Sequence, residues 1–361
     1  MRVRAGLPTG VTALLFGAAR ARRQLEATLT QRLAERGYQE ALLPILDYFD
    51  PYGPMLSAGA REQLYRFVDR DGQLLALRAD FTPMLARLLA PRLDALELPL
   101  RLFYRGDVVR YQEGKPGQLR EYSQLGAELL TPIADGADVR GRGDAEIVEL
   151  LLDLLSGRLG AAASPEPSSP AVPAIRLVLG LAGALDPLLR HHPQPRELAQ
   201  AIARRDRARA RAESRELLAI VERGFPDDPA VLGDAAPALD RLLRLRERLE
   251  ARRGEVPVHV TVDLAEFAAE GLDTVPTEAP AGDSPATERA LPRASYYDGV
   301  VFRAYIDGLG QPVASGGRYD GLFRGLGARV RAVGFQVALD PLLEATQRRA
   351  APAAAVSEAA R

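Results

Sequence analysis

The residues that could do chemistry are densest between Arg101 and Leu130, in the run RLFYRGDVVRYQEGKPGQLREYSQLGAELL. Gln112 to Gln118 carries Gly114, Lys115, Pro116 and Gly117 and reads as a long polar hairpin loop. The flanking runs then read as strands, whose side chains alternate between two faces. Arg101, Phe103, Arg105 and Asp107 share one face of the first strand, opposite Leu100, Leu102, Tyr104 and Val108. In the second, Arg120, Tyr122, Gln124, Gly126 and Glu128 share a face opposite Leu125, Ala127 and Leu129. Guanidinium, carboxylate and amide groups at two-residue spacing can form the floor of a small polar pocket. They can equally be the wet side of an antiparallel sheet. The pattern alone leaves both open.

The rest of the chain supplies the elements that would position such a floor. A helix is expected over 12–36, from Leu14, Leu15, Ala18, Leu25, Leu29 and Leu33, with Gly37 as its cap. Tyr38 to Leu46 reads as a strand that Pro44 confines to an edge or bulge. Asp71–Gly72 marks a tight hairpin between Tyr65–Val68 and Leu74–Leu77. Thr82 followed by Pro83 starts a helix, Met84 to Leu93. Further on come a helix from Asp144 to Leu159, a short strand from Ile175 to Leu179 and a helical stretch over 183–253. Strands follow at Val256–Leu264, Tyr296–Ile306, Gln311–Gly316 and Ala332–Leu339, with a last helix from Asp340. Gly160 to Pro173 and Thr274 to Pro292 read as linker and loop, and the tail from 350 as disordered.

Composition narrows the function classes. The chain of 361 residues has no cysteine, which excludes disulfides, thiolate metal sites and thiol nucleophiles. His191 and His192 precede Pro193 and read as a surface turn; with His259 they suggest no metal site. A formal net charge of −1 argues against a dedicated nucleic-acid binder. No apolar run reaches the ~20 residues of a membrane span, and the early arginines and Val11–Ala19 pass straight into a charged helix instead of a cleavage site. A cytoplasmic protein without a cofactor is the expectation. Two arginine-dense stretches, Arg204–Arg215 and Arg241–Arg253, are either solvated helix faces with Glu–Arg pairs or a docking surface for an acidic partner or RNA.

The order of elements, with RADFT at 78–82, QLGAE at 124–128 and GGRYDGL at 316–322, resembles the class II aminoacyl-tRNA synthetase core, specifically that of histidyl-tRNA synthetase. The resemblance runs from about Gly6 to Leu343 and is weakest across the helical insertion. It implies an α+β fold with an antiparallel sheet flanked by helices. The implied division is a core of 1–160 and 256–349, a linker, strand and helical insertion at 161–255, and a tail at 350–361.

The departures are as informative. The synthetase arginine that stacks on the adenine of ATP is matched by Pro341, which has no cation. A second synthetase arginine is matched by Pro292 in PRASYY, with Arg293 one residue away, on the other face of a strand. Asp107 stands where the family has a glutamate, and too few residues follow the last helix for an anticodon-binding domain. A synthetase-like chain without its ATP contacts is similar to the regulatory subunits of ATP phosphoribosyltransferase.

That resemblance implies a non-catalytic subunit with an amino-acid pocket for L-histidine. Asp80, Thr82 and Gln124 match positions for the α-amino end, Arg105 the carboxylate fork, Glu128 the imidazole partner, and Tyr296 and Tyr297 its lining. Each has a plainer role: Asp80 as a helix cap, Glu128 as a surface strand residue, Tyr296 as core. Gly316, Gly317 and Gly321 are explained by tight backbone turns, and Arg318 with Asp320 by a structural ion pair. The implied partner is the short-form catalytic subunit, with a homodimer inside a larger hetero-oligomer. A divergent histidine-activating ligase and an RNA-binding synthetase paralogue are the alternatives.

Overall fold

In the computed structural model, residues 6–56, 58–112, 119–133, 137–161, 173–251, 256–269 and 297–350 are described. The hairpin tip 113–118, most of both expected linkers, Pro292, Arg293, Tyr296 and the tail from 351 lie outside them.

Leu25, Leu29 and Leu33 recur at four-residue spacing and are buried as one stripe of the helix Phe16–Glu35. This helix starts later than the apolar run suggested. Leu14, Leu15 and Phe16 are exposed, so no packing holds an earlier turn in place. Gly37 closes the helix as expected: at φ 79° its N–H donates to Ala34 O, and the Tyr38 N–H donates to Leu33 O.

The strands are β1 (Gln39–Glu40), β2 (Leu46–Tyr48), β3 (Arg66–Val68), β4 (Leu74–Leu77), β5 (Leu100–Val109), β6 (Glu121–Pro132), β7 (Ile175–Leu181), β8 (Val258–Val262), β9 (Val300–Ile306), β10 (Ala314–Arg318) and β11 (Val330–Ala338). Eight form one sheet in the order β1-β5-β6-β11-β10-β9-β7-β8, and β2-β4-β3 form a second. The large sheet is antiparallel except for its outer pairs, β1 with β5 and β7 with β8. Pro44 splits the expected strand 38–46 into β1 and β2, in different sheets. The carbonyls of Leu43 and Pro44 at this break each accept a hydrogen bond from Arg78 Nη1 at 2.8 Å.

The helices Phe16–Glu35, Ala137–Ala161 and Leu339–Ala350 cover one face of the large sheet. Leu25, Leu29, Ile147, Leu151 and Leu342 there join Phe103, Leu125, Ala127 and Leu129 in the main core. Each buried leucine contributes about 1.5–3 kcal/mol against exposure. The strand near 175 lies inside this sheet, between β9 and β8. The helices that follow it also bury Leu198, Ile202, Leu217 and Leu242 in the same core. The other sheet face is covered by the helices Thr82–Leu89 and Asp320–Gly325, and the small sheet packs on the first of these through Ala76 and Met84. Among the described residues no helix is long and apolar enough to cross a membrane.

Candidate functional site

The register of β5 and β6 decides what the hairpin can bind. Arg105 pairs with Leu125, Leu102 with Glu128 and Gly106 with Gln124. Directly opposed residues share a sheet face. The two polar faces read from the sequence therefore point to opposite sides of the sheet. Glu128 and Gln124 look toward the helix Thr82–Leu89, whereas Arg105 looks toward the first helix. This corrects the expectation for Arg105. Its Nε donates to Glu40 Oε1 at 3.1 Å, and its Nη1 to Glu26 Oε2 at 3.3 Å. Alternation along one strand cannot reveal this, because pairing sets which side of its neighbour a strand's polar face joins. Arg105→Ala is accordingly expected to leave ligand affinity unchanged and to cost about 1 kcal/mol of stability or less. Denaturant unfolding of the variant measures that cost.

Glu128 is 1 % exposed. Its Oε1 accepts hydrogen bonds from the Thr82 hydroxyl at 2.7 Å and the Tyr104 hydroxyl at 3.2 Å. Its Oε2 accepts one from the Tyr319 hydroxyl. Glu128 thus lies in a ring of three hydroxyls from three separate elements. Thr82 belongs to a helix start, as expected, but its hydroxyl turns to Glu128 instead of capping the helix. Burial pushes the Glu128 carboxyl up to about 7, against the three hydroxyl hydrogen bonds and with some help from Asp80. The Tyr104 phenol is raised well above its ordinary value, first by burial and then by Glu128.

Asp80 sits beside this ring. Its Oδ1 accepts the Thr82 N–H at 3.0 Å, one residue before the N-cap position, which Phe81 occupies. Its backbone is clamped by Tyr52, whose hydroxyl donates to Asp80 O at 2.9 Å and accepts the Asp80 N–H at 2.8 Å. Burial raises the Asp80 carboxyl, and Arg110 opposes that rise. Arg110 donates through Nε to Ala79 O at 3.0 Å and stacks its guanidinium 5.9 Å from the Tyr122 ring centre. Arg110 is therefore the arginine that the fold places near Asp80.

Two glycines make room for the ring. A Cβ on Gly334, which pairs with Glu128 in β11, would fall 1.5 Å from Glu128 Oε2. A Cβ on Gly126 would fall 2.3 Å from the Tyr104 ring. Tyr297 is half-buried against the Tyr319 cluster, and Gly317 yields space to its ring. Arg318 and Asp320 are a structural pair: Arg318 donates to Asp320 Oδ1 at 2.9 Å and to Asp144 Oδ1 at 3.0 Å.

The structure thus brings Asp80, Thr82, Gln124 and Glu128 to one side of the sheet, and Tyr297 close by. It separates Arg105 from them, and Tyr296 lies outside the described residues. Tyr104, Arg110 and Tyr319 escaped the sequence reading. Tyr104 fell on the strand face taken as apolar. Tyr319 stands in GGRYDGL, where the glycines drew a purely structural explanation.

Comparison with known proteins shows the family and the fold. The family model for histidyl-tRNA synthetase matches residues 10–342. A curated ATP phosphoribosyltransferase regulatory subunit of Moorella thermoacetica is 35% identical over 343 residues, covering 93% of this chain and 81% of that protein. The chain belongs to this synthetase-related family of regulatory subunits. Another member of the regulatory-subunit family, from Symbiobacterium thermophilum, is 33% identical over 97% of the chain and 82% of its own length. The fold likewise matches the crystal structure of an ATP phosphoribosyltransferase regulatory subunit/histidyl-tRNA synthetase from Bacillus halodurans, with TM-score 0.71 and 24% identity over 96% of this chain and 84% of that one. A chain of the ATP phosphoribosyl transferase (HisG:HisZ) complex from Thermotoga maritima shares the fold at TM-score 0.58 and 17% identity, over 88% of this chain and 97% of that one. In this regulatory-subunit member Pro341 occupies the first turn of the helix Leu339–Ala350, where a missing N–H costs nothing.

Proposed function

We propose that this chain, a regulatory and non-catalytic subunit of ATP phosphoribosyltransferase, binds free L-histidine at Glu128 and conveys its occupancy to the short-form catalytic subunit. ATP phosphoribosyltransferase performs the first step of histidine biosynthesis, so the ligand is the end product of the pathway. The observation that carries the reading is Glu128, a buried carboxylate poised near neutrality among three hydroxyls. An imidazole N–H can replace one hydroxyl donor, and an apolar side chain cannot. Asp80, Thr82 and Gln124 take the α-ammonium end, Tyr296 and Tyr297 line the imbedded ring, and Arg110 takes the place first given to Arg105 for the carboxylate. Histidine regulates only if it has different affinity for two states of the assembly.

A homodimer inside a larger mixed assembly, in the cytoplasm, completes the proposal. In support, Leu14, Leu15, Phe16, Leu42, Ile45, Leu46 and Tyr48 are all exposed, with Phe16 at 90% and Leu42 at 84%. Runs of exposed apolar side chains such as Leu14–Phe16 are the kind of surface that association covers. The test is to mix the purified chain with its catalytic partner and follow condensation of ATP with phosphoribosyl pyrophosphate. The chain should raise the rate, and histidine should depress it only when this subunit is wild type at Glu128. An unchanged rate and unchanged histidine response would defeat the proposal.

A further inference from the structure

The two arginine-dense stretches meet. A cleft of about 430 Å³ lies between the helical segment and the edge strand β8, on the far end of the sheet from Glu128. It is lined by Arg205 and Arg207 from the first stretch, Arg246 from the second, and Arg223 between them. Phe225 and Val262 give it an apolar floor.

Not all four guanidiniums are engaged alike. Arg205 pairs with Asp263 and donates to Val221 O at 3.1 Å, and Arg223 pairs with Asp227. Arg207 approaches Glu222 only at 4.0 Å, and Arg246 approaches Glu250 only at 3.9 Å. The Nε of Arg246 is buried with no hydrogen-bond partner. A buried N–H on a permanent cation is costly unless a ligand satisfies it. Each of the four arginines has an acidic neighbour, Asp263, Glu222, Asp227 and Glu250 respectively, but those of Arg207 and Arg246 lie beyond hydrogen-bond distance.

We propose that this cleft is a binding site for a small organic phosphate, with the phosphate held between Arg207 and Arg246. Arginine forks match phosphate oxygens in pairs. An oxyanion there would supply the acceptor that Arg246 Nε lacks. Phe225 and Val262 would carry the apolar or ring portion of the ligand. The volume falls in the range of small-molecule sites, which favours a mononucleotide-sized ligand over a nucleic-acid duplex. The site is separate from Glu128 and does not depend on the histidine reading.

The test is calorimetric titration of the full chain with inorganic pyrophosphate, AMP and ATP at matched ionic strength. Saturable binding is expected, tighter for the nucleotides than for pyrophosphate. Arg207→Ala and Arg246→Ala should each weaken it by about tenfold or more, with thermal denaturation showing that both variants fold. Arg207, 69% exposed, carries the test alone if Arg246→Ala does not fold. The lysine variants should bind in between, because charge is kept and the fork is lost. Three results overturn the proposal: no saturable heat with any probe, equal binding by wild type and variants, or a short RNA duplex that binds more tightly than mononucleotides and loses affinity in the same variants.

Discussion

Replacing Glu128 with alanine is expected to remove histidine binding and to destabilise the chain by about 3 kcal/mol. The hydroxyls of Thr82, Tyr104 and Tyr319 all donate to this carboxylate. Without it, three buried polar groups lose their acceptor. Thr82 Oγ1 and the Tyr104 hydroxyl are 3.4 Å apart and can pair weakly with each other, which offsets part of the loss. The side chain that fills the space beside Gly334 is lost as well, and this leaves a cavity in the middle of the sheet. Glu128→Gln separates the two losses. It keeps the volume and one acceptor oxygen, so most of the stability should return. It cannot be ionised, however, and discrimination for the imidazole should fall by roughly two orders of magnitude or more. Calorimetric titration with L-histidine and denaturant unfolding of wild type and both variants measure these effects. Histidine affinity within about threefold of wild type in Glu128→Gln would remove Glu128 from the ligand-reading role.

The second large effect is on pH dependence. The Glu128 carboxyl has an ordinary value of 4.5 and rises to about 7 in the folded chain, chiefly because it is buried. Between those values the folded state binds a proton that the unfolded state has released. The stabilising contribution of protonated Glu128 is therefore complete below about 4.5 and is lost as pH rises through about 7. The interval corresponds to a contribution on the order of 3 kcal/mol. Burial also raises Asp80, Asp144 and Asp298, and these push in the same direction. The effect of Glu128 is isolated by difference: the stability of wild type relative to Glu128→Gln should fall by about that amount between about pH 4 and pH 8. Unfolding curves for the two proteins across this range make the measurement. A difference that stays flat would mean that Glu128 ionises in the fold as it does in the unfolded chain.

Much of the fold was legible because local signals agreed with tertiary packing. Leu25, Leu29 and Leu33 announced a helical stripe, Gly37 its end, and Asp71–Gly72 the small hairpin. The alternation in β5 and β6 correctly sorted each strand's residues into two faces. What it could not do was join the faces of different strands. That join depends on hydrogen-bond register, a long-range property. The consequence is concentrated in a few side chains. Arg105 went to the wrong side, while Tyr104 and Arg110 went unnoticed. Tyr319 is 191 residues from Glu128 in sequence and meets it only because β11 brings β10 and β6 into one sheet.

By itself, then, the sequence determined the element order, most of the strand positions and the carboxylate, Glu128, on which the proposed function rests. The polar pattern at 124–128 and the synthetase-like strings supplied that carboxylate, since residue type and local spacing are properties of a few neighbouring residues. Only the tertiary structure decided which groups surround it, which arginine stands near it and how its proton is held. Those depend on burial and on contacts between strands and helices far apart in the chain, where desolvation outweighs the hydrogen bonds that would otherwise keep Glu128 charged.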